Sequence, residues 1–300
     1  MRNTFIDELT LLAESDERVV LLTGDMGFSV IEKFAEKFPK RFYNIGIAEQ
    51  NMIGIATGLA EAGFIPFCYS IAPFALLRPY EFIKNGPILH NLPVRIVAIG
   101  AGFEYGDLGF THYLLEDIAL TRVHSNLECF APFNINTAKK VLQETYGNPN
   151  PIYYRISKTN DNIINDILHQ ENDGIATIFE NIQNKICVFC IGNSISQSYE
   201  ALIKSNFGFN LYAITRYNPI NINHILSILS RHIKAITVEE HYVCGGLGGM
   251  IAEIIAENNS SPMKLKRLGI DKNDFGVVAD YEHLKEHFKI SAADILKNIT

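Results

Sequence analysis

One acid stands where a short apolar run gives way to a segment of small residues. Glu49 follows Tyr43-Asn44-Ile45-Gly46-Ile47-Ala48 and opens Gln50-Asn51-Met52-Ile53-Gly54-Ile55-Ala56-Thr57-Gly58-Leu59-Ala60. A carboxyl group at that point is either an acid favoured by the positive end of a helix or, if buried, a group that holds or moves a proton for something bound against it. Phe74, at the head of another helical stretch, offers a flat face to a ring or to the core. His112 follows Thr111 in a glycine-rich loop, where an imidazole can exchange a proton near neutral pH or lie on the surface. Arg2, Ser29 and Arg155 could grip an anionic group, because an arginine fork donates two hydrogen bonds to one phosphate. Asp25, directly after an apolar run, either caps a turn or faces a ligand. The string Cys244-Gly245-Gly246-Leu247-Gly248-Gly249 could cradle a phosphate, although it lacks the Gly-x-Gly-x-x-Gly spacing.

These residues need a scaffold, and apolar runs of strand length supply one: Val19 to Thr23, Phe64 to Tyr69, Val94 to Ile99, Leu127 to Phe130 and Ile152 to Arg155. Helical patterns lie between them, which predicts a largely parallel sheet covered on both faces. A polar interval from Ser157 to Gly174 reads as a linker. The alternation then restarts with strands at Ile186 to Ile191, Asn210 to Thr215, Ala235 to Glu239 and Lys264 to Leu268, and helices near Ser194 to Lys204, Ile222 to Arg231 and Gly249 to Glu257. The fold class is therefore α/β, with two domains, each a mostly parallel sheet flanked by helices. In the helix that starts near Glu49, Gln50, Gly54, Gly58 and Ala62 form a ridge with almost no side-chain bulk. A tight contact within the domain is the simpler expectation for that ridge, and a subunit interface the sharper one.

Three hundred residues, 47% hydrophobic and 20% charged, suit a globular protein of two domains. A net charge of −7 argues against a nucleic-acid surface. Acids near the first residues and the lack of a window of about eighteen uncharged apolar residues predict a cytoplasmic chain with no membrane partner. The five cysteines include Cys187 and Cys190, but these lie in an apolar run with no second ligand pair, so buried free thiols are expected in place of zinc or redox chemistry.

The segment around Glu49 resembles the Gly-Ile-Ala-Glu-Gln motif of the transketolase family. Further matches follow in order. Phe74-Ala75-Leu76-Leu77-Arg78-Pro79-Tyr80 is similar to the stretch that supplies the aromatic face against the cofactor ring. Gly102 to Arg122 is similar to the family's Gly-Glu-Asp-Gly-x-Thr-His loop and its Glu-Asp-Ile-Ala helix. Glu239-Glu240-His241 with Gly245-Gly246-Leu247-Gly248 resembles its C-terminal domain. The resemblance implies a pyrimidine-binding domain over 1–158, a linker over 159–184 and a transketolase C-terminal domain over 185–300. It implies thiamine diphosphate as cofactor, with Glu49 protonating the aminopyrimidine and Phe74, Arg78, Tyr80 and Asp25 around it. His112 would line the substrate channel as a second catalytic residue, and Arg2, Ser29 and Arg155 would contact a substrate phosphate.

Nothing in the chain reads as the diphosphate-binding domain, whose Gly-Asp-Gly and later Asn hold Mg2+. An N-terminal partner subunit is therefore expected to carry the metal, in a split transketolase of two copies of each subunit (α2β2). Leu108 stands where an aspartate of the family reads a sugar hydroxyl, and Gly100 falls in a string where a histidine is usual. An unpaired hydroxyl against an apolar side chain costs about 1–3 kcal/mol. The resemblance thus implies two-carbon transfer to an aldehyde or ketone acceptor on an atypical sugar substrate. The alternatives are a 2-oxo acid such as pyruvate as donor, decarboxylated with transfer onto a nucleotide-linked sugar, and a non-catalytic assembly subunit.

Overall fold

The computed structural model describes residues 1–27, 29–159, 170–258, 263–271 and 276–299. They divide into two compact units, Met1–Ala101 with Thr121–Asn160, and Gly102–Leu120 with Asp161–Thr300.

In the first unit, β1 (Val19–Thr23), β2 (Phe42–Asn44), β3 (Ile65–Ile71), β4 (Arg95–Ile99), β5 (Glu128–Phe130) and β6 (Ile152–Ile156) lie in the order β5-β6-β4-β3-β1-β2. Each pairing among them is parallel. Every residue of β1, β3, β4 and β6 is buried, which is why these strands read as mainly apolar runs and not as alternation. Helix α1 (Arg2–Ser15) turns Phe5, Ile6, Leu9 and Ala13 inward, and α2 (Glu32–Lys37) adds Phe34. With Ala138, Val141 and Leu142 of helix Ile135–Thr145 they close over Leu21, Phe67, Val97 and Tyr154 of the sheet. That helix is started by a capping box. Asn134 accepts the Thr137 N–H at 2.8 Å, and Thr137 Oγ1 accepts the Asn134 N–H at 3.0 Å.

Helix α3 (Glu49–Glu61) buries Glu49, Met52, Ile53, Ala56 and Ala60. The ridge of Gln50, Gly54, Gly58 and Ala62 points away from that stripe and is exposed, which corrects the expectation of a contact within the domain. A Cβ added at Gly54 or Gly58 would meet nothing within 4 Å. The bulkier Met52 and Ile53 win the inward face because they remove more apolar area from water than a glycine can.

The second unit holds β7 (Gln170–Asn172), β8 (Ile175–Phe179), β9 (Ile186–Ile191), β10 (Asn210–Ile214), β11 (Arg216–Asn218), β12 (Lys234–Tyr242) and β13 (Lys264–Ile270). Its sheet runs β13-β12-β9-β10-β8-β7, parallel from β13 to β10 and antiparallel at β8 and β7. Strands β7 and β8 form a hairpin across Asp173 and Gly174, both at positive φ (53° and 80°), the conformation that an Asp-Gly turn supplies. Residues 160–169 of the expected linker lie outside the described residues. Among the described residues no helix is long and apolar enough to cross a membrane.

Candidate active site

The loops that leave the carboxyl ends of β1, β2 and β3 carry the first group of candidate residues. Strand β1 has β2 on one side and β3 on the other, so successive connections depart in opposite directions and leave a crevice there. Asn44, the last residue of β2, fastens the neighbouring loops together: its Oδ1 accepts the N–H groups of Asp25 and Gly46, each at 3.0 Å. Its Nδ2 also donates to Asp25 Oδ1 at 3.2 Å. Asp25 itself is exposed and sits at φ 57°.

Glu49 is the first residue of α3 and is 1% exposed. Beside it, Gly24 lets the chain pass close to the carboxylate and to Gly46. A Cβ there would lie 3.2 Å from Gly46 O and 3.3 Å from Glu49 Oε1. From the other side comes the segment after β3. Helix α4 (Ala72–Leu76) contains Phe74, and the N–H groups of Leu77 and Arg78 both return to Pro73 O, so the turn continues past its end. Four residues on from Phe74, Arg78 therefore folds back over the ring, its Cζ 4.2 Å from the ring centroid. Arg78 Nη1 then donates to Glu49 Oε2 at 2.6 Å. The result is a buried carboxylate and an aromatic ring joined by one guanidinium. Such a set suits a planar, nitrogen-bearing ring that presents an N–H to the carboxylate and a face to Phe74.

Tyr80 opens α5 (Tyr80–Ile83), and its hydroxyl lies 2.8 Å from His124 Nε2. Burial pushes the Tyr80 hydroxyl up, while burial first and Lys84 second push His124 down, so the imidazole is neutral at pH 7. The anion-binding candidates lie on separate elements of the same unit. Asn3, Asp7, Ser29, Val30, Glu32 and Lys33 line a cavity of about 380 Å³. Ser29 sits at φ 64°, and its N–H donates to Glu32 Oε1 at 2.6 Å. That bond, with others from backbone N–H groups, holds the Glu32 carboxyl below its ordinary range. Lys33 reaches Asp7 at 3.0 Å. Arg2 starts α1 and is partly buried, whereas Arg155 is 4% exposed within β6.

His112 and Leu108 belong to the second unit, on a loop closed by reciprocal bonds between Gly102 and Leu114, each 2.9 Å. His112 Nδ1 is 2.9 Å from Thr111 Oγ1, and its ring lies 6.5 Å from that of Tyr105. Leu108 is 55% exposed. In the same unit the glycine-rich turn already contains its anion. Buried Glu239 accepts the N–H groups of Leu247 (2.6 Å) and Gly248 (2.8 Å) at the start of helix Leu247–Glu257. A phosphate has no room there. Cys187 and Cys190 lie buried on β9, where burial pushes the Cys187 thiol up to about 12 and that of Cys190 higher still. Among the described residues no group of three or more His, Cys, Asp or Glu side chains could hold a metal ion.

Residues 1–162 match the pyrimidine-binding domain of transketolase, and residues 177–295 match the transketolase C-terminal domain. The chain belongs to the transketolase family. It is 34% identical to a transketolase C-terminal section of Methanocaldococcus jannaschii, over 100% of this chain and 95% of that protein. It is 28% identical to one subunit of an apulose-4-phosphate transketolase of Actinobacillus succinogenes, over 89% of this chain and 86% of that protein. Among solved structures, a split-gene transketolase described as an inactive β4 tetramer superposes with a TM-score of 0.86 at 27% identity, covering 99% of this chain and 96% of that one. The transketolase resemblance and the two-sheet α/β fold drawn from the sequence are both borne out. The transketolase motifs led to Glu49 and Phe74, but they gave no sign that Arg78 would bind Glu49. Gly24, Glu32 and His124 were missed as well. For Arg78 a signal existed, since a four-residue spacing from Phe74 in a helical stretch brings the two side chains together.

Proposed function

We propose that this chain is the C-terminal subunit of a split, thiamine-diphosphate-dependent transketolase that transfers a two-carbon unit to an aldehyde or ketone acceptor. The observation that carries this reading is the buried Glu49 carboxylate at the head of α3, joined through Arg78 to the Phe74 ring. The donor set fits the aminopyrimidine half of the cofactor, and thiamine diphosphate supplies, when bound, the carbon nucleophile and electron sink that a protein side chain lacks. Glu49 would hold a proton at the ring nitrogen, and its burial would exclude water from that exchange. Phe74 would take the ring face, with Asp25 and Tyr80 at the rim. His112 would serve as the second proton-transfer residue, and Arg2, Ser29 and Arg155 would meet the anionic end of the substrate.

The likeness to a transketolase C-terminal section and to a split-gene transketolase, along nearly their whole length, supports an N-terminal partner subunit carrying Mg2+. The exposed ridge of Gly54 and Gly58, flanked by exposed Ile47 and Ile55, supports self-association into an α2β2 assembly. An atypical sugar is supported by apolar Leu108 and by the Glu32 carboxylate on the Ser29 N–H, which a phosphate would have to displace. The relative named for apulose 4-phosphate points the same way.

The test mixes the chain with its partner subunit, thiamine diphosphate and Mg2+, and follows consumption of a ketose phosphate donor with a panel of aldehyde acceptors. Loss of a positioned proton-transfer group predicts a fall of about 10²–10⁴-fold for Glu49→Ala. An unchanged rate would sink the assignment, and stabilisation of the partner without turnover would make this an assembly subunit.

A further inference from the structure

The pair formed by Glu49 and Arg78 is lopsided. The Glu49 side chain is 1% exposed and that of Arg78 35%, so only the arginine can withdraw toward solvent. Arg78 also engages two groups at once, donating to Glu49 Oε2 at 2.6 Å and covering Phe74 with its Cζ 4.2 Å from the ring centroid. A guanidinium is planar, cationic, rich in N–H donors and able to stack. Those are the properties of a protonated aminopyrimidine, and the two groups it occupies are the two that such a ring would need.

We propose that Arg78 is a resident surrogate for the cofactor ring: it pairs with Glu49 and covers Phe74, and must leave both before the aminopyrimidine can enter. The proposal rests on the reading of Glu49 as the cofactor's partner. It makes Arg78 a gating residue and not a contact to the cofactor. Several consequences distinguish the two roles. A contact residue, once removed, weakens cofactor binding. So does general damage to the fold. A competitor, once removed, strengthens binding, because apparent affinity is reduced by the fraction of protein in which the site is closed.

The experiment measures thiamine diphosphate binding by calorimetry, and loading rate by stopped flow, on the complex with the partner subunit. Arg78→Met keeps the bulk and removes the charge. It is expected to lower the dissociation constant by about tenfold or more and to raise the loading rate. Arg78→Gln, which keeps a neutral donor to the carboxylate, should move both in the same direction by less. In the chain alone, Arg78→Met should lower the melting temperature, and adding Glu49→Gln should restore most of the loss by removing the stranded charge. An unchanged or weaker dissociation constant in both Arg78 variants overturns the proposal, as does an unchanged melting temperature for Arg78→Met. Failure of the wild-type complex to bind thiamine diphosphate would instead overturn the parent reading of Glu49.

Discussion

Gly246→Ala tests whether the glycine-rich turn of the second unit is a closed internal ion site. An added Cβ would lie 2.0 Å from Glu239 Oε2 and 2.6 Å from His241 Nδ1. Both side chains are fully buried, so neither can turn out into solvent. His241 is held at both nitrogens, with Nδ1 2.6 Å from Tyr242 O and Nε2 accepting the Ala119 N–H at 3.3 Å. The carboxylate is then the group that must leave, and with it go the bonds from Leu247 N–H and Gly248 N–H. Hydrogen bonds to a charged group contribute about 1.5–3 kcal/mol each, so the loss is about 3–6 kcal/mol. That is a large share of the roughly 5–15 kcal/mol available to a folded protein. Urea unfolding of the full chain, followed by circular dichroism, should show this loss for Gly246→Ala. Glu239→Ala should show a similar one by stranding two amides. The double variant should lose less than the sum of the two single variants, because removing the Glu239 side chain relieves the 2.0 Å contact and leaves only the one with His241. A Gly246→Ala protein within about 0.5 kcal/mol of the parent, or strict additivity in the double variant, would refute the reasoning.

Two further outcomes are expected. An aromatic disulfide reagent added to the native chain at neutral pH should modify Cys244, which is exposed, and reach buried Cys68, Cys129, Cys187 and Cys190 only on unfolding. Rapid reaction of a second thiol would contradict the burial that holds Cys187 at about 12. At the start of helix Tyr281–His287, Asp280 accepts both the backbone N–H of His283 (3.0 Å) and its ring Nδ1–H (2.6 Å), which keeps His283 above and Asp280 below their ordinary values. A raised histidine stabilises fully below its unfolded value of about 6.5 and ceases to as pH rises through its folded value, whereas a depressed aspartate stabilises above its unfolded value and ceases to as pH falls through its folded one. NMR titration should place the His283 midpoint above that of an unfolded peptide and return it in Asp280→Asn; a midpoint unmoved by the substitution would refute the pairing.

Most strands were legible because a strand buried on both faces carries its signature locally, as Val19 to Thr23 and Ile186 to Ile191 show. Arg95 shows the limit. A charged residue at the start of an apolar run reads as a solvated end, yet this one is fully buried and donates to Tyr146 O (3.0 and 2.7 Å) and Asn150 O (2.6 Å). Its partners are backbone carbonyls far along the chain, and no residue type marks them. Strand β8 lay within a segment read as linker, although the Asp173-Gly174 turn was a local sign of its hairpin. In the site, the motif located Glu49, but Arg78 meets it only because β3 lies beside β1 in the sheet. The side of α3 on which Gly54 and Gly58 fall was equally illegible, since spacing defines a ridge without saying what it faces.

The second unit draws on Gly102–Leu120 as well as on Asp161–Thr300. Phe103, Leu114 and Ile118 of the earlier segment are fully buried, and Leu115 O accepts the N–H of Tyr242 at the end of β12 (3.0 Å). A gene fragment encoding only 161–300 would therefore lack part of its own core and leave those partners exposed. Recombination between related genes faces the same constraint. Any crossover placed between the two sheets transplants a half whose missing piece stays behind in the donor. Exchange of function among such chains should then proceed by whole-chain replacement or by point substitution, and chimaeras joined between the sheets should be recovered folded only when Gly102–Leu120 comes from the same parent as the second half.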